Sequence, residues 1–279
     1  MRRMVLDMDD RRPVFAMPDA DPERIRAELP DGWALVVVQA SSDGSGDGSG
    51  LATEEALAAV ADAEAYLGLG IPSAILDAGP HLRWVHTGTA GVGSWLTPRM
   101  RERDILFTNS AGVFGPAMAE TVLAFLLHFA RGLHVAQRGQ RRGTWDKTGF
   151  DGPVLPVRVV VTAPGTEETA GMLDAGALAR MQPHAVLVNV GRGRIVDEDA
   201  LVAALRDGTI GGAALDVFAT EPLPDGHPLW TAPNVLITPH VSAYTEHYWE
   251  REVELVVANV RRYVSGQPLL NVVDKSAGY

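Results

Sequence analysis

Three polar residues with reactive side chains each come just after a short apolar run: Arg192, Glu221 and His240. Near neutral pH a histidine can exchange a proton, and a neighbouring carboxylate can fix its tautomer and raise its pKa. An arginine offers a planar fork of donors for a substrate carboxylate. In an open α/β sheet, ligands bind beyond the carboxyl ends of the strands. If the runs are neighbouring parallel strands, the three residues predict a small-molecule site with acid–base chemistry.

Apolar runs alternate with helical patterns along most of the chain, which predicts parallel sheets covered by helices on both faces. In the first 110 residues, strands are predicted at 14–17, 34–39, 65–69, 83–86 and 105–108. Helices are predicted between them at 22–29, 53–61, 72–77 and 97–102. Further on, the pattern predicts helices at 116–138, 172–181, 198–206 and 244–264, the last ended by Gly266. The strands of this half are predicted at 157–162, 185–190, 213–217 and 235–238.

The composition excludes several classes of function. The 279 residues include 24 basic and 35 acidic side chains, a formal charge of −11, which disfavours binding to nucleic acid or anionic lipid. The basic run 138–142 is therefore interpreted as a solvated helix end. There is no cysteine, which excludes disulfides, thiolate nucleophiles and cysteine-based metal sites. No third ligand with suitable spacing accompanies His240 and Glu221, so no metal site is predicted.

Neither the start of the chain nor its apolar stretches suggest export or membrane insertion. The start, MRRMVLDMDDRRP, has no apolar core of a signal peptide, and the run 122–130 is much shorter than the ~20 residues of a membrane span. A cytoplasmic protein without membrane contact is expected. The glycine–serine tract 41–50 cannot build a core and is predicted to be a flexible surface loop.

Longer stretches of the sequence resemble the signatures of the D-isomer-specific 2-hydroxyacid dehydrogenases. The motifs in the second half are VLVNVGRGRIVDEDAL from Val186, ALDVFATEPL from Ala214 and NVLITPHVSA from Asn234. The first half adds LRWVH from Leu82, AGVG from Ala90, TNSAGV from Thr108, and the pair Ala119-Glu120. These matches occur in the family's order and cover most of the chain.

The resemblance implies a two-domain oxidoreductase that moves a hydride between NAD or NADP and the C2 atom of a small 2-oxo or 2-hydroxy acid. It implies a flavodoxin-like substrate domain of residues 1–110 and 243–279, and a Rossmann-type cofactor domain, a doubly wound parallel sheet, of residues 111–242. It also implies a homodimer.

The resemblance further assigns roles to individual residues. Arg192 would bind the substrate's carboxylate and carbonyl, His240 would be the acid/base on the C2 oxygen, and Glu221 would orient His240. The backbone amides of Ala90, Gly91 and Val92 would bind the substrate carboxylate. The residues expected on the cofactor side are Ala163, Pro164, Val190, Gly191, Arg192, Asp216, His240 and Ser242, with Asp216 facing the nicotinamide end. Asn189 and Asp197 are interpreted as structural, Asp197 as a helix cap.

The chain departs from the family at the dinucleotide fingerprint G-x-G-x-x-G. The family places it after the segment matching 153–158, whereas this chain passes directly from Arg158 into a stretch resembling a later strand. The two nearest glycine clusters, at 68–73 and 191–196, lack the third glycine. The sequence thus predicts a truncated cofactor domain and impaired turnover. The alternative is a non-catalytic remnant that binds a small carboxylate or pairs with a full-length relative.

Overall fold

The computed structural model describes residues 1–40, 51–145, 147–148, 150 and 158–279. The tract 41–50, predicted to be a flexible loop, and most of the 153–158 junction lie outside the described residues. The chain divides into two compact units, one formed by Met1–Phe114 with Tyr244–Tyr279 and the other by Gly115–Ala243. Within the described part, no helix has the length and apolar character needed to cross a membrane.

Regular elements alternate along both units. The strands are β1 (Arg2–Asp7), β2 (Trp33–Val37), β3 (Ala65–Gly68), β4 (Trp84–Thr87), β5 (Leu106–Asn109), β6 (Arg158–Val161), β7 (Val186–Asn189), β8 (Gly212–Leu215) and β9 (Val235–Ile237). The α-helices are α1 (Asp21–Arg26), α2 (Glu54–Val60), α3 (Ser73–Ala78), α4 (Pro98–Glu102), α5 (Gly115–Ala130), α6 (Leu133–Arg142), α7 (Ala175–Ala179), α8 (Glu198–Asp207) and α9 (Tyr248–Val264). The predicted α/β fold class is confirmed.

The first unit contains a five-stranded parallel sheet in the order β2-β1-β3-β4-β5, which is the flavodoxin-like order. Apolar side chains are buried on both faces of this sheet, as expected when helices cover both sides. Val5 and Val85 belong to one core, and Leu6 and Leu67 belong to the other. The second of these cores also contains apolar side chains of α9, which therefore packs on this sheet.

The interior strand β1 was missed in the sequence, and the strand predicted at 14–17 is wrong. Met4 and Leu6 of β1 are fully buried, but the charged residues on either side obscured this short apolar run. The segment 14–17 lies between Pro13 and Pro18 and forms turns, because proline cannot donate to a sheet ladder. Its apolar character is explained by Phe15, which is buried against the rings of α9.

The helix predicted at 116–138 is two helices, α5 and α6. Gly132 separates them with a φ of +65°, a left-handed conformation that ends a helix and that glycine adopts without strain. The final helix begins at Tyr248 and not at 244. The helix predicted at 172–181 is reduced to α7, because the Asp174 side chain caps its start by accepting a hydrogen bond from the Ala177 N–H.

The second unit contains a parallel sheet whose order in the described residues is β6-β7-β8-β9. Strands β7 and β8 are buried throughout, with Phe125 and Phe129 of α5 on one face and α8 on the other. Strand β6 lies at the edge of this sheet, where Val160 is 40% exposed. Since β7, β8 and β9 are parallel neighbours, the loops that follow them leave the same edge of the sheet.

Candidate active site

His240 follows β9 in a backbone conformation that is uncommon for a side-chain-bearing residue. Its φ is +54°, in the left-handed region. The His240 N–H donates to the carbonyl oxygen of Asp216 at 2.9 Å, which ties the loop after β9 to the end of β8. Strained residues of this kind persist where their surroundings fix them. The direction of the His240 side chain is thus set by the backbone.

Asp216 is the group that fixes this loop. Its fully buried carboxylate accepts hydrogen bonds from the Thr238 hydroxyl at 2.5 Å and from the Val241 and Ser242 N–H groups, both at 2.9 Å. Charge-assisted bonds to backbone amides are among the stronger hydrogen bonds in proteins. Both carboxylate oxygens of Asp216 therefore hold the His240 loop in position. The family resemblance assigned Asp216 to the cofactor side.

His240 and Glu221 form a close pair. The His240 Nδ1 lies 2.6 Å from Glu221 Oε2, and the second carboxylate oxygen of Glu221 accepts the Phe218 N–H at 2.8 Å. The side chains are 46% and 27% exposed, respectively, so the imidazole is open to solvent on one side. Because Nδ1 is bonded to the carboxylate, Nε2 is the ring nitrogen available to a ligand.

The pKa values of the two groups are shifted in the direction that acid catalysis needs. The hydrogen bond to Glu221 raises the pKa of His240, against an opposing effect of burial and of the Arg192 charge. Burial alone would raise the pKa of Glu221, but the bonds from His240 and Phe218 and the charges of His240 and Arg192 lower it overall. An imidazolium stabilised in this way can donate its Nε2 proton to a carbonyl oxygen, and the neutral ring can take a proton back.

Arg192 lies on the loop after β7. Asn189 shapes this loop, because its side-chain amide donates to the Arg192 carbonyl at 3.0 Å and its side-chain oxygen accepts the Gly191 N–H at 3.1 Å. Burial lowers the pKa of Arg192, and the charge of Glu221 acts in the opposite direction. That interaction links Arg192 electrostatically to the His240–Glu221 pair. The structural interpretation of Asn189 accords with these contacts.

Gly193 allows the Arg192 loop to pack against the loop after β8. A Cβ atom at Gly193 would lie 1.9 Å from the carbonyl carbon of Phe218, a distance that no side chain can occupy. At Gly191 the constraint is milder, with the Ala163 carbonyl oxygen 3.0 Å from such an atom. The G-R-G sequence therefore serves close packing of backbone against backbone in this unit.

The other residues expected on the cofactor side pack in the core or accept hydrogen bonds with their backbone carbonyl groups. Val190 is 2% exposed and belongs to the core between the sheet and α5. Ser242 is 3% exposed, and its carbonyl oxygen accepts a bond from the Thr121 hydroxyl. The Pro164 carbonyl accepts the Thr169 hydroxyl at 2.7 Å, which stabilises the turn after β6.

In the first unit, the backbone carbonyl groups of residues 89–92, in the loop after β4, all accept hydrogen bonds. The Thr89 carbonyl accepts the Ser110 N–H, and the Ala90 carbonyl accepts the Asn109 side-chain amide at 2.7 Å. The Gly91 carbonyl accepts the Thr89 hydroxyl at 3.0 Å. The Val92 carbonyl accepts the backbone N–H groups of residues 95 and 96.

The amide groups of the same loop point to an anion site. Within the part of the chain that the structure describes, the N–H groups of Ala90, Gly91, Val92 and Gly93 have no hydrogen-bond acceptor. Backbone amides without an acceptor can bind an anion such as a carboxylate. Their fixed carbonyl groups hold the amides in place. Asn109, Ser110 and the Thr89 hydroxyl were missed in the sequence, because their partners depend on the fold.

Comparisons with a family model, with related sequences and with solved structures show which proteins this chain resembles. Residues 157–242 match the model of the NAD binding domain of D-isomer specific 2-hydroxyacid dehydrogenases. The chain is 29% identical to a glyoxylate/hydroxypyruvate reductase B from Yersinia enterocolitica, with 79% of this chain and 86% of that protein covered. It is 29% identical to a glyoxylate reductase from Thermofilum pendens, with 80% and 84% covered. A D-isomer specific 2-hydroxyacid dehydrogenase from Xanthobacter autotrophicus, solved with NADPH and MES, is 28% identical and superimposes with a TM-score of 0.77, covering 100% of this chain and 99% of that one.

The chain resembles the D-isomer-specific 2-hydroxyacid dehydrogenases along most of its length. Its second unit is of the Rossmann type, and its resemblance to that oxidoreductase family agrees with the sequence motifs. In a 2-hydroxyacid dehydrogenase, a reduced nicotinamide supplies the hydride. His240 and Glu221 have the geometry of a pair that can transfer a proton.

Two helix starts in the second unit bear on the pyrophosphate of such a cofactor. A pyrophosphate needs free amides at a helix start. The helices after β6 and β7 begin instead with the aspartates Asp174 and Asp197, whose carboxylates accept the Ala177 and Ala200 N–H groups. A negative charge at each start repels phosphate, so these helices do not fit the pyrophosphate.

Proposed function

We propose that this chain is a 2-hydroxyacid dehydrogenase for small 2-oxo or 2-hydroxy acids whose NAD(P)-dependent turnover is strongly impaired. In this proposal Arg192 binds the substrate's carboxylate and carbonyl, and the loop of Ala90–Val92 in the first unit offers backbone amides to a carboxylate. His240 donates the proton to the C2 oxygen during reduction and Glu221 holds its tautomer. The 2.6 Å contact between His240 and Glu221 is the observation that carries the assignment of the reaction class.

The impairment is proposed from the sequence and from the edge of the second sheet. The chain lacks the G-x-G-x-x-G fingerprint that carries the pyrophosphate in this fold. Strand β6, the first described strand of the second unit, lies at the sheet edge, with an apolar side chain, Val160, 40% exposed there. The alignment with the Yersinia protein spans 282 positions although 79% of this 279-residue chain takes part, so it contains gaps in this chain.

Cofactor binding tests the proposal directly. A complete site would stabilise the protein by about 2.7 kcal/mol at a ligand concentration of 100 times Kd. For a chain of this size that corresponds to a rise in Tm of about 5–10 °C. We expect millimolar NAD, NADP or their reduced forms to raise the Tm by less than about 1 °C, because the described helices after β6 and β7 start with aspartates that occupy their amides.

Turnover completes the test. Reduction of glyoxylate, hydroxypyruvate and pyruvate should stay near background with either reduced cofactor. A clear thermal shift, together with turnover that His240→Ala abolishes, would contradict the impairment and leave the reaction class standing. Absence of carboxylate binding as well as turnover would contradict the whole proposal.

The alternative is a non-catalytic protein that binds a small carboxylate or pairs with a full-length relative. It shares the carboxylate site and differs in having no turnover under any condition. We also infer a homodimer, since Leu123 and Leu127 of α5 are 57% and 55% exposed and leave apolar surface for a second copy. Light scattering of the purified protein should give twice the 29.8 kDa chain mass, and a monomer at micromolar concentration would refute this part.

A further inference from the structure

The amino edge of the first unit's sheet carries a cleft that the proposed reaction does not use. Its volume is about 560 Å³, and its charged lining comes from residues just before or at the start of three strands: Arg2, Arg3, Asp62, Glu64, His81 and Arg83. The five strands of this sheet are parallel, so the cleft lies at the edge opposite to the loop after β4. It is therefore separate from the amides of that loop.

Glu64, one of the two carboxylates in the cleft, accepts hydrogen bonds with both of its oxygens. Glu64 accepts two hydrogen bonds from the guanidinium of Arg2, one of them at 2.7 Å, and a third from the Tyr263 hydroxyl at 3.0 Å. The hydrogen bonds from Arg2 lower the pKa of Glu64, against the effect of burial. Glu64 and Arg2 thus neutralise each other, and the indole of Trp33 further occupies Arg2, whose Cζ lies 4.1 Å from the ring centre.

The remaining charges leave an excess of positive charge. Arg3 lies 3.5 Å from Asp62, but the two side chains are 43% and 76% exposed, and exposed pairs of this kind contribute little. Within the described residues, no carboxylate lies within 4.0 Å of Arg83, although the charge of Arg83 helps to lower the pKa of Glu64. Arg83 and the adjacent His81 are both exposed. A cationic cleft on a protein of formal charge −11 indicates a site where an anion is attracted locally.

We propose that this cleft binds the phosphate group of a small phosphate monoester. Arg3, Arg83 and His81 approach from two chain segments, and a tetrahedral phosphate accepts hydrogen bonds from several directions at once. A contact between Arg3 and the bound anion would replace the weak, exposed contact between Arg3 and Asp62. The cleft has the size typical of small-molecule sites, which leaves room for the organic part of the ester beside Leu82.

Binding of phosphate to the full chain tests this site. Inorganic phosphate and glycerol phosphate are titrated at constant ionic strength while backbone amide signals are followed by NMR, with sodium chloride as the control salt. We expect the signals of residues 81–83 to shift. Arg83→Gln should weaken binding about tenfold or more, as expected for the loss of a charge-assisted contact. The control Arg99→Gln removes an exposed arginine of the same unit that pairs with Asp77, and it should leave the affinity unchanged.

Several results would overturn the proposal. They are equal phosphate affinity in wild type and Arg83→Gln, equal shifts with chloride, or shifts confined to residues 89–93. Binding of inorganic phosphate without glycerol phosphate would overturn the assignment to an ester. Thermal unfolding of each variant separates lost binding from lost folding, and Arg3→Gln provides a second variant for the same test. None of these measurements depends on turnover, so they stand whether or not the proposed dehydrogenase activity is found.

Discussion

Replacing Glu221 by glutamine should lower the pKa of His240 and abolish the stabilisation that the pair gives to the folded state. The change keeps the size of the side chain and removes its charge. In the wild type, His240 has a raised pKa because Glu221 Oε2 accepts a hydrogen bond from its Nδ1, 2.6 Å away. In Glu221→Gln the effects of burial and of Arg192 on the pKa of His240 remain, and both lower it.

The energetic size of the effect follows from the contact and its exposure. A hydrogen bond between charged partners contributes about 1.5–3 kcal/mol. Because His240 is 46% exposed, solvent screens the pair, and we expect a coupling of about 1 kcal/mol. The raised pKa of His240 means that this stability is lost as the pH rises through that pKa. The lowered pKa of Glu221 means that it is also lost as the pH falls through the pKa of the carboxyl group.

Two measurements check this expectation without any need for turnover. NMR titration of the His240 ring should show deprotonation at lower pH in Glu221→Gln than in the wild type. A double-mutant cycle of Glu221→Gln and His240→Asn, measured by urea unfolding, should give a coupling near pH 6 that shrinks well above the pKa of His240. The control is Glu198→Gln, which removes a carboxylate 3.4 Å from His227 in the same unit. An unchanged titration of His240, or a coupling independent of pH, would refute the reasoning.

Three further substitutions test the architecture around the site. Gly193→Ala should destabilise the second unit by about 2 kcal/mol in urea unfolding, because a Cβ atom there meets the Phe218 backbone, whereas Gly115→Ala, which meets nothing, should not. Asp216→Asn should cost about 1–3 kcal/mol and disorder the His240 loop, seen as lost protection of its amides from hydrogen exchange. Thr89→Val should weaken glyoxylate binding several-fold by freeing the Gly91 carbonyl, and Thr89→Ser should restore it; equal affinity in both variants would contradict the loop model.

The strand-end rule predicted the acid–base pair from sequence because it depends only on local order. Glu221 and His240 follow strands that are adjacent in the chain and parallel, and such strands often lie side by side. Patterns of apolar residues were sufficient to place most helices and strands. They failed at β1, where charged flanks hid three buried residues, and at 14–17, where a single buried ring gave a misleading apolar signal.

Functions that depend on distant partners could not be predicted. Asp216 and Glu221 are both acidic residues after β8, five positions apart, and nothing in their neighbours says which one faces a ligand. The structure separates them by burial, since Asp216 is 0% exposed and Glu221 is 27% exposed. The free amides of the loop after β4 likewise depend on Asn109 and Ser110, which follow a different strand.

The acid–base pair and the cofactor site are built from different parts of the second unit. The hydrogen bonds of His240, of its partner Glu221 and of Asp216 beneath them come mainly from β8, β9 and the loops after them: Asp216, Phe218 through Glu221, and Thr238. These hydrogen bonds do not use the segment before β6, although Thr121 and the Arg192 loop support the same region. An intact pair is therefore no measure of turnover in this chain. The titration of His240 reports on the proton-transfer part of the site, and the thermal shift with NAD(P) reports on the hydride-transfer part.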